Sequence, residues 1–138
     1  MRPFQSQIRL QKWQVDEAQR RVGELLRLEV QLRADRARLD TELAGEQATA
    51  AGSYEAAMTY GAYAERLIER REKLDMSITE VDGQIEQARE VLRDAFAELK
   101  KFELAASAAE ERVRRRRDRR DQLVQDDIGL GMFRRQAE

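Results

Sequence analysis

Two long heptad ladders constrain the fold of this chain more than any other feature of its sequence. The first ladder consists of two interleaved rows of apolar residues spaced seven apart, which are Ile8, Val15 and Val22, and Ala18, Leu25, Leu32 and Leu39. The second, longer ladder begins at Leu67 and ends at Val113. Heptads sustained over such lengths are typical of coiled-coil helices. The two ladders flank a glycine-containing break, and they predict an all-α fold, a long antiparallel two-helix coiled-coil hairpin with helix 2 longer than helix 1.

Proline and glycine positions suggest where the two helices begin and end. We expect helix 1 over about residues 3–44, a connection over about 45–61, helix 2 over about 62–127 and a tail over 128–138. A proline near the start suits a first helical turn, because its missing N–H is not needed there. Glycines weaken the heptads in the connection and favour a helix end before the tail. The chain is long enough for one domain, so we predict a single hairpin domain over 1–138.

The ladders also restrict how the helices pair. Partners in an antiparallel pair have position numbers with a constant sum, and a sum of 106 centres the turn at Gly52–Ser53. This register brings Leu25 to Val81 and Phe4 to Phe102. Helix 1 then ends well before helix 2 does, and about 22 residues of helix 2 extend alone over about 33 Å.

The part of helix 2 expected to extend alone carries a block of arginines. Seven lie close together, namely Arg112, Arg114, Arg115, Arg116, Arg117, Arg119 and Arg120. One interpretation is a solvated helix end, where the helix dipole favours basic residues. A second is a cationic probe that enters an acidic cavity of a protein. A third is a nucleic-acid-binding arm, which the acidic flanks and the absence of interleaved aromatic residues disfavour.

Two smaller groups of residues are candidates for partner binding. Leu10 and Trp13 share the outer face of helix 1, where a tryptophan anchors an interface or folds back over its own helix. Tyr60, Tyr63 and Leu67 follow the spacing i, i+3, i+7 at the start of helix 2. Tyr60 lies one heptad before Leu67, the first residue of the second ladder, and both are expected to close the core near the turn. Only Tyr63 is then free for a partner.

Charged residues also occupy core positions of the ladders. These are Glu29 and Arg36 in helix 1 and Arg71 in helix 2. The register places Arg36 near Arg71, on the turn-proximal side. Polar residues in a coiled-coil core usually fix register and partner number at a cost in stability, and we interpret these three in that way.

Composition excludes several classes of function. The chain has no His and no Cys, so it lacks their bases, nucleophiles and metal ligands, and we predict no enzyme activity, no cofactor and no metal site. Its 26 Lys and Arg and 27 Asp and Glu give a net charge of −1, which argues against a global affinity for nucleic acid or membrane surfaces. No apolar run is long enough for direct membrane insertion. Besides the nucleic-acid arm, a generic coiled-coil scaffold or adaptor, whose overhangs would pair with one another, stays open as an alternative.

Four stretches of the sequence resemble one known family. They are the opening Phe4…Ile8-Arg9-Leu10…Trp13-Gln14-Val15-Asp16-Glu17, the entry Tyr60-x-x-Tyr63-x-x-x-Leu67, the segment Ala95-Phe96-Ala97-Glu98-Leu99-Lys100-Lys101, and the end Asp126-Asp127-Ile128-Gly129-Leu130. Together with the length and the hairpin layout, they resemble the FliJ family, the small coiled-coil component of the bacterial flagellar type III export apparatus. The chain is also similar to the counterparts of that family in injectisomes.

The resemblance implies a cytoplasmic protein, peripheral to the inner membrane at the flagellar base, that takes part in flagellum biogenesis and motility. Its hairpin would act as a stalk in the pore of a hexameric export ATPase. Our working hypothesis assigns the arginine block, Leu10 and Trp13 to ATPase binding. Tyr60, Tyr63 and Leu67 match the spacing of a cluster that docks on the membrane export gate. The family is also linked to export chaperones as partners.

Overall fold

A computed structural model describes residues 2–137, which form two helices joined by a tight turn. Helix α1 spans Gln5–Ala50, and helix α2 spans Tyr54–Ala137. They contain 46 and 84 residues, respectively. The predicted fold class, an antiparallel two-helix coiled-coil hairpin with a longer second helix, is confirmed.

The connection between the helices is much shorter than the predicted stretch of residues 45–61. Only the three positions between α1 and α2 are non-helical, and they include the predicted turn centre at Gly52–Ser53. Gly52 N–H donates to the carbonyl of Thr49 at 3.1 Å and closes the last turn of α1. The Ser53 hydroxyl accepts a hydrogen bond from the backbone N–H of Ala56 at 3.0 Å and so acts as the N-cap of α2.

Both helices continue through glycines that were predicted to end them. Gly45 and Gly61 lie inside helices, and so do Gly129 and Gly131, which we expected to end helix 2 near residue 127. Among residues 2–137 no glycine has a positive φ, so none of them takes the conformation that ends a helix. A helical glycine costs only about 1 kcal/mol relative to alanine, and good helix formers on either side outweigh that cost. The predicted tail of 128–138 is therefore helical to Ala137.

The described chain forms two compact units, each made from a segment of α1 and a segment of α2. The central unit comprises residues 16–94, and the terminal unit comprises residues 2–15 together with 95–137. The single domain over 1–138 stays a prediction.

The core of the central unit is a narrow apolar seam between its two helical segments. Leu25, Val81 and Ile85 are 3%, 6% and 3% exposed, and Ala88 completes the cluster with them. Val22 and Leu32, on the same face of α1, pack against this cluster. Leu25 and Val81 share the cluster as the register with a sum of 106 predicts.

A network of ion pairs flanks this seam on the side near the turn. Arg36 binds Asp75 across the helix pair and Asp40 on its own helix, the latter at 2.8 Å. Arg71 approaches the same Asp40 at 3.4 Å. The predicted proximity of Arg36 and Arg71 thus arises because both bind one carboxylate. These side chains are one-third to one-half exposed, so the network chiefly selects a register and adds little stability.

Glu29 is the third charged residue of the seam, and it lies beside another acid. A hydrogen bond with Asp82 raises the pKa of the Glu29 carboxyl above its usual value; burial and the negative charge of Asp82 act in the same direction. Arg33, 3.2 Å from Asp82 and 3.9 Å from Glu29, opposes the shift, as does Arg89. Ionising Glu29 is therefore less favourable in the folded chain than in the unfolded chain.

Replacing Glu29 by Gln is expected to flatten the pH dependence of stability. A carboxyl whose pKa is higher in the folded state stabilises the fold when protonated, below its unfolded pKa, and loses that contribution as the pH rises through its folded pKa. The difference in melting temperature between Glu29→Gln and the unmodified chain should therefore favour the variant more at pH 7.5 than at pH 4.5. Circular dichroism at both pH values measures this difference. Glu65→Gln, at an exposed position with no ion pair among the described residues, is the control and should show no such trend.

Candidate binding surfaces

In the terminal unit, the residues before α1 are held against α2. The Arg2 side chain donates a hydrogen bond to Glu110 at 2.9 Å, which raises the pKa of its guanidinium above the usual value. The Phe4 and Phe102 rings lie 6.0 Å apart between centroids, tilted by 43°. This contact confirms the predicted pairing of Phe4 with Phe102. We call Arg2, Phe4, Phe102 and Glu110 the N-terminal clamp.

Phe4 has an unusual backbone conformation. Its φ of 60° lies in the left-handed region, which costs a bulky residue roughly 1–2 kcal/mol. The carbonyl of Phe4 accepts the first helical hydrogen bond, from the N–H of Ile8 at 2.9 Å. An aromatic pair contributes about 0.5–1.5 kcal/mol, which is comparable with this strain, so the contact with Phe102 favours the observed start of α1.

Beyond the clamp, α2 carries the predicted arginines on a fully exposed stretch of helix. Every residue from 112 to 130 is exposed. Arg114 and Arg115 both approach Glu111 at 3.3 Å. The remaining five make no ion pair with any residue of 2–137, and these are Arg112, Arg116, Arg117, Arg119 and Arg120. Because successive helical residues are turned by about 100°, the arginines of this stretch point to nearly every side of α2. We call residues 112–120 the arginine segment.

A cleft lies where the clamp meets the arginine segment. It has a volume of about 500 Å³ and is lined by Arg2, Pro3, Glu110, Val113, Arg114 and Arg117. Three of these side chains are guanidinium groups, and only one is a carboxylate, which Arg2 already binds. Pro3 and Val113 supply an apolar wall. The cleft therefore suits an acidic group that is next to an apolar one.

The last part of α2, residues 121–137, exposes large apolar side chains. Most of these positions fall in the stretch of 128–138 that was predicted to be a tail. We call residues 121–137 the distal segment. Six of its side chains are between 52% and 70% exposed: Leu123, Val124, Ile128, Leu130, Met132 and Phe133. Because these residues belong to a continuous helix and not to an irregular tail, α2 holds their side chains at fixed positions and exposes them to solvent.

Leu10 and Trp13 lie on α1 in the terminal unit, and both side chains are accessible. Leu10 is 52% exposed and Trp13 is 60% exposed. They share one helical face with a spacing of three residues. Their exposure leaves both side chains available as apolar anchors for an interface, which is one of the two roles predicted for Trp13.

In the central unit, Tyr60, Tyr63 and Leu67 differ in how far their side chains are buried. Leu67 is only 4% exposed and belongs to the seam, whereas Tyr60 and Tyr63 are half-buried. The Tyr63 hydroxyl donates to Glu42 at 2.7 Å, and this bond, more than burial, raises the pKa of the phenol. Glu42 and Glu46 add to the shift by their charge, and Arg70 opposes it. The three residues therefore do not form one continuous exposed patch.

Sequence reasoning missed Arg2, Glu110 and Asp40 as partners in ion pairs. Arg2 precedes the first heptad residue, so no periodic pattern draws attention to it. Asp40 follows Arg36 by four residues. This spacing predicts an ion pair within one helix, and it could have identified Asp40 as a partner of Arg36. The register pairs position 2 with position 104, so it does not bring Arg2 to Glu110, which lies six residues farther along α2.

The geometry defines a class of protein: an antiparallel coiled-coil hairpin protein with long exposed helix surfaces. Among residues 2–137, no helical stretch combines the length and the apolar character that crossing a membrane would require. A family model described as "Flagellar FliJ protein" matches residues 1–138. The chain therefore belongs to the FliJ family, whose members are non-enzymatic components related to flagellar protein export. Comparisons with curated proteins and with solved structures gave no match.

Proposed function

We propose that this protein is a stalk-like binder of the hexameric flagellar export ATPase. In this proposal the arginine segment enters the central pore of the hexamer and interacts with acidic side chains there. Leu10 and Trp13 add apolar contacts on the α1 side of the terminal unit. The protein has no catalytic role of its own and changes ATPase assembly or turnover through binding.

The observation that carries the proposal is the distribution of the seven arginines around an exposed helix; five of the seven make no ion pair with any residue of 2–137. A helix that binds a flat surface needs charge on one side only. Arginines on nearly every side suit a binding site that surrounds the helix, such as the pore of a ring. Guanidinium groups also form bidentate pairs with carboxylates, so an acidic pore would hold the helix from several directions.

The proposal extends to the other partners of export. Tyr63, with Tyr60 and Leu67 behind it, is assigned to contact with the export gate membrane protein. Export chaperones are the third class of partner. These contacts place the protein in the cytoplasm, peripheral to the inner membrane at the flagellar base. A role for the arginine segment in nucleic-acid binding is disfavoured by Asp118, Asp121 and the acidic residues that follow.

Turnover of the export ATPase from the same organism tests the proposal. The full chain is expected to stimulate turnover, and a chain truncated after Glu111 is expected to lose that stimulation. Truncation after Asp121 is the matched control, because it retains the whole arginine segment and should still stimulate. If the full chain neither stimulates nor co-sediments with the ATPase, the proposed function is wrong.

A further inference from the structure

We propose that two copies of this chain pair through the arginine and distal segments, with their α2 helices antiparallel. The first observation is the exposed apolar surface of the distal segment. Its six large side chains are each more than half exposed. At about 100° per residue, Leu123, Val124 and Leu130 lie on the side of α2 that also carries Val113, whereas the other three point to other sides. A stretch of helix that packs against nothing is marginal in water, so a second helix on this surface would stabilise it.

Charge along the helix selects the second copy as the partner and the antiparallel direction. The arginine segment has seven basic residues and one acidic residue, whereas residues 121–127 contain Asp121, Asp126 and Asp127 and no basic residue. A parallel pair would place arginines against arginines. An antiparallel pair places the arginine segment of each copy against Asp126 and Asp127 of the other. One chain thus contains both complementary surfaces.

A two-fold axis between Asp121 and Gln122 gives the register of this pair. Arg116 then lies level with Asp127 of the second copy, and Val113 lies level with its Leu130. Arg116 makes no ion pair with any residue that the structure describes, so its guanidinium is available. The register therefore joins opposite charges and apolar residues in the same interface.

The cleft of the terminal unit fits the same arrangement. Val113 and Arg117 line it together with Arg2 and Pro3. In the proposed register, residues 126–130 of the second copy, Asp-Asp-Ile-Gly-Leu, run past this cleft. Their acidic groups meet the guanidinium groups, and their apolar side chains meet Pro3 and Val113.

This self-association does not rest on the proposed function, although both use the arginine segment. A copy paired with another has its arginines covered, so the pair must separate before the segment enters a pore. Asp127→Arg distinguishes the two proposals. It should weaken self-association and leave ATPase stimulation intact, because every arginine is retained.

Charge reversal followed by sedimentation equilibrium tests the pairing over a wide range of protein concentration. The unmodified chain is expected to show a monomer–dimer equilibrium that weakens with salt. Arg116→Asp and Asp127→Arg should each weaken the dimer about tenfold, since each places like charges together twice. Mixed in equal amounts, the two variants should recover the affinity of the unmodified chain to within about threefold, because only the heterodimer matches opposite charges.

Lys100→Asp and Glu98→Arg are the matched controls, because they reverse exposed charges of the terminal unit outside the proposed interface. They should leave the dimer affinity unchanged. A chain that stays monomeric at every concentration would overturn the proposal. So would a dimer that is insensitive to Arg116→Asp and Asp127→Arg, or a mixture that fails to recover. Circular dichroism of each variant verifies that its helices are retained.

Discussion

Reversing the charge of the five unpaired arginines is expected to weaken binding to the export ATPase by at least about a hundredfold. The variant carries glutamate at Arg112, Arg116, Arg117, Arg119 and Arg120. Each exposed charge pair that is lost contributes about 0.5–1 kcal/mol, so five together contribute about 2.5–5 kcal/mol, against about 2.7 kcal/mol for a hundredfold change; each glutamate also adds repulsion from acidic groups of the pore. The helix is expected to survive, because glutamate and arginine have similar helix propensities.

The measurement is a binding isotherm with the hexameric ATPase, together with circular dichroism of the free variant. The matched control reverses five exposed basic residues elsewhere that have no ion pair within residues 2–137, namely Arg66, Arg70, Arg93, Lys100 and Lys101. It produces the same change in net charge and should bind with nearly unchanged affinity. Equal loss in both variants would attribute the effect to net charge and contradict a role for the arginine segment.

A lysine version of the five-arginine variant separates charge from geometry. It keeps every positive charge but removes the planar guanidinium that binds carboxylates through two hydrogen bonds. Retained affinity would indicate that positive charge is sufficient in the pore. A marked loss would indicate bidentate contacts.

Truncating Leu25 to alanine is expected to reduce the free energy of unfolding by about 2–3 kcal/mol. Leu25 is 3% exposed and lies in the cluster with Val81 and Ile85. Removing its side chain costs the transfer of the lost methyl and methylene groups and leaves a cavity between the helices. The expected value lies in the lower part of the usual range, because a two-helix seam is thin and no large side chain within 2–137 is less than 2% exposed.

Urea denaturation followed by circular dichroism gives the change in unfolding free energy. Leu28→Ala is the matched control, since it removes the same atoms from a side chain of the same helix that is 44% exposed. Its cost should stay below about 1 kcal/mol. A similar loss in both variants would mean that the seam around Leu25 is not the stabilising core of the central unit.

The heptads predicted the helices and their pairing well, because apolar periodicity reports which face of a helix is buried. Leu25 with Val81 and Phe4 with Phe102 both follow from that pattern alone. The helix ends were harder, because Gly45 and Gly129 resemble helix stops in sequence, although a helix tolerates isolated glycines. The Ser53 N-cap was the better signal for the start of α2.

The candidate sites show a different limit of sequence reasoning. The exposure of the arginines could be anticipated, because many charged residues lie close together and the first helix is too short to cover this part of the second. The division of the Tyr60, Tyr63 and Leu67 group could be anticipated only in part, since burial near a turn depends on how tightly the turn closes. The bond from Arg2 to Glu110 depends on the conformation of Phe4, which no periodic pattern encodes.

The three-residue turn between α1 and α2 also dictates the order in which the chain closes. The bond between Tyr63 and Glu42 joins residues 21 positions apart, whereas the one between Arg2 and Glu110 spans 108 positions. Each pair formed near the turn shortens the loop that the next pair must close, so pairing advances from the turn towards both termini. Residues 2–15 are also synthesised well before their partners in α2, because Phe102 and Glu110 lie about a hundred positions farther along the chain. This segment therefore stays unpaired until those residues have been made.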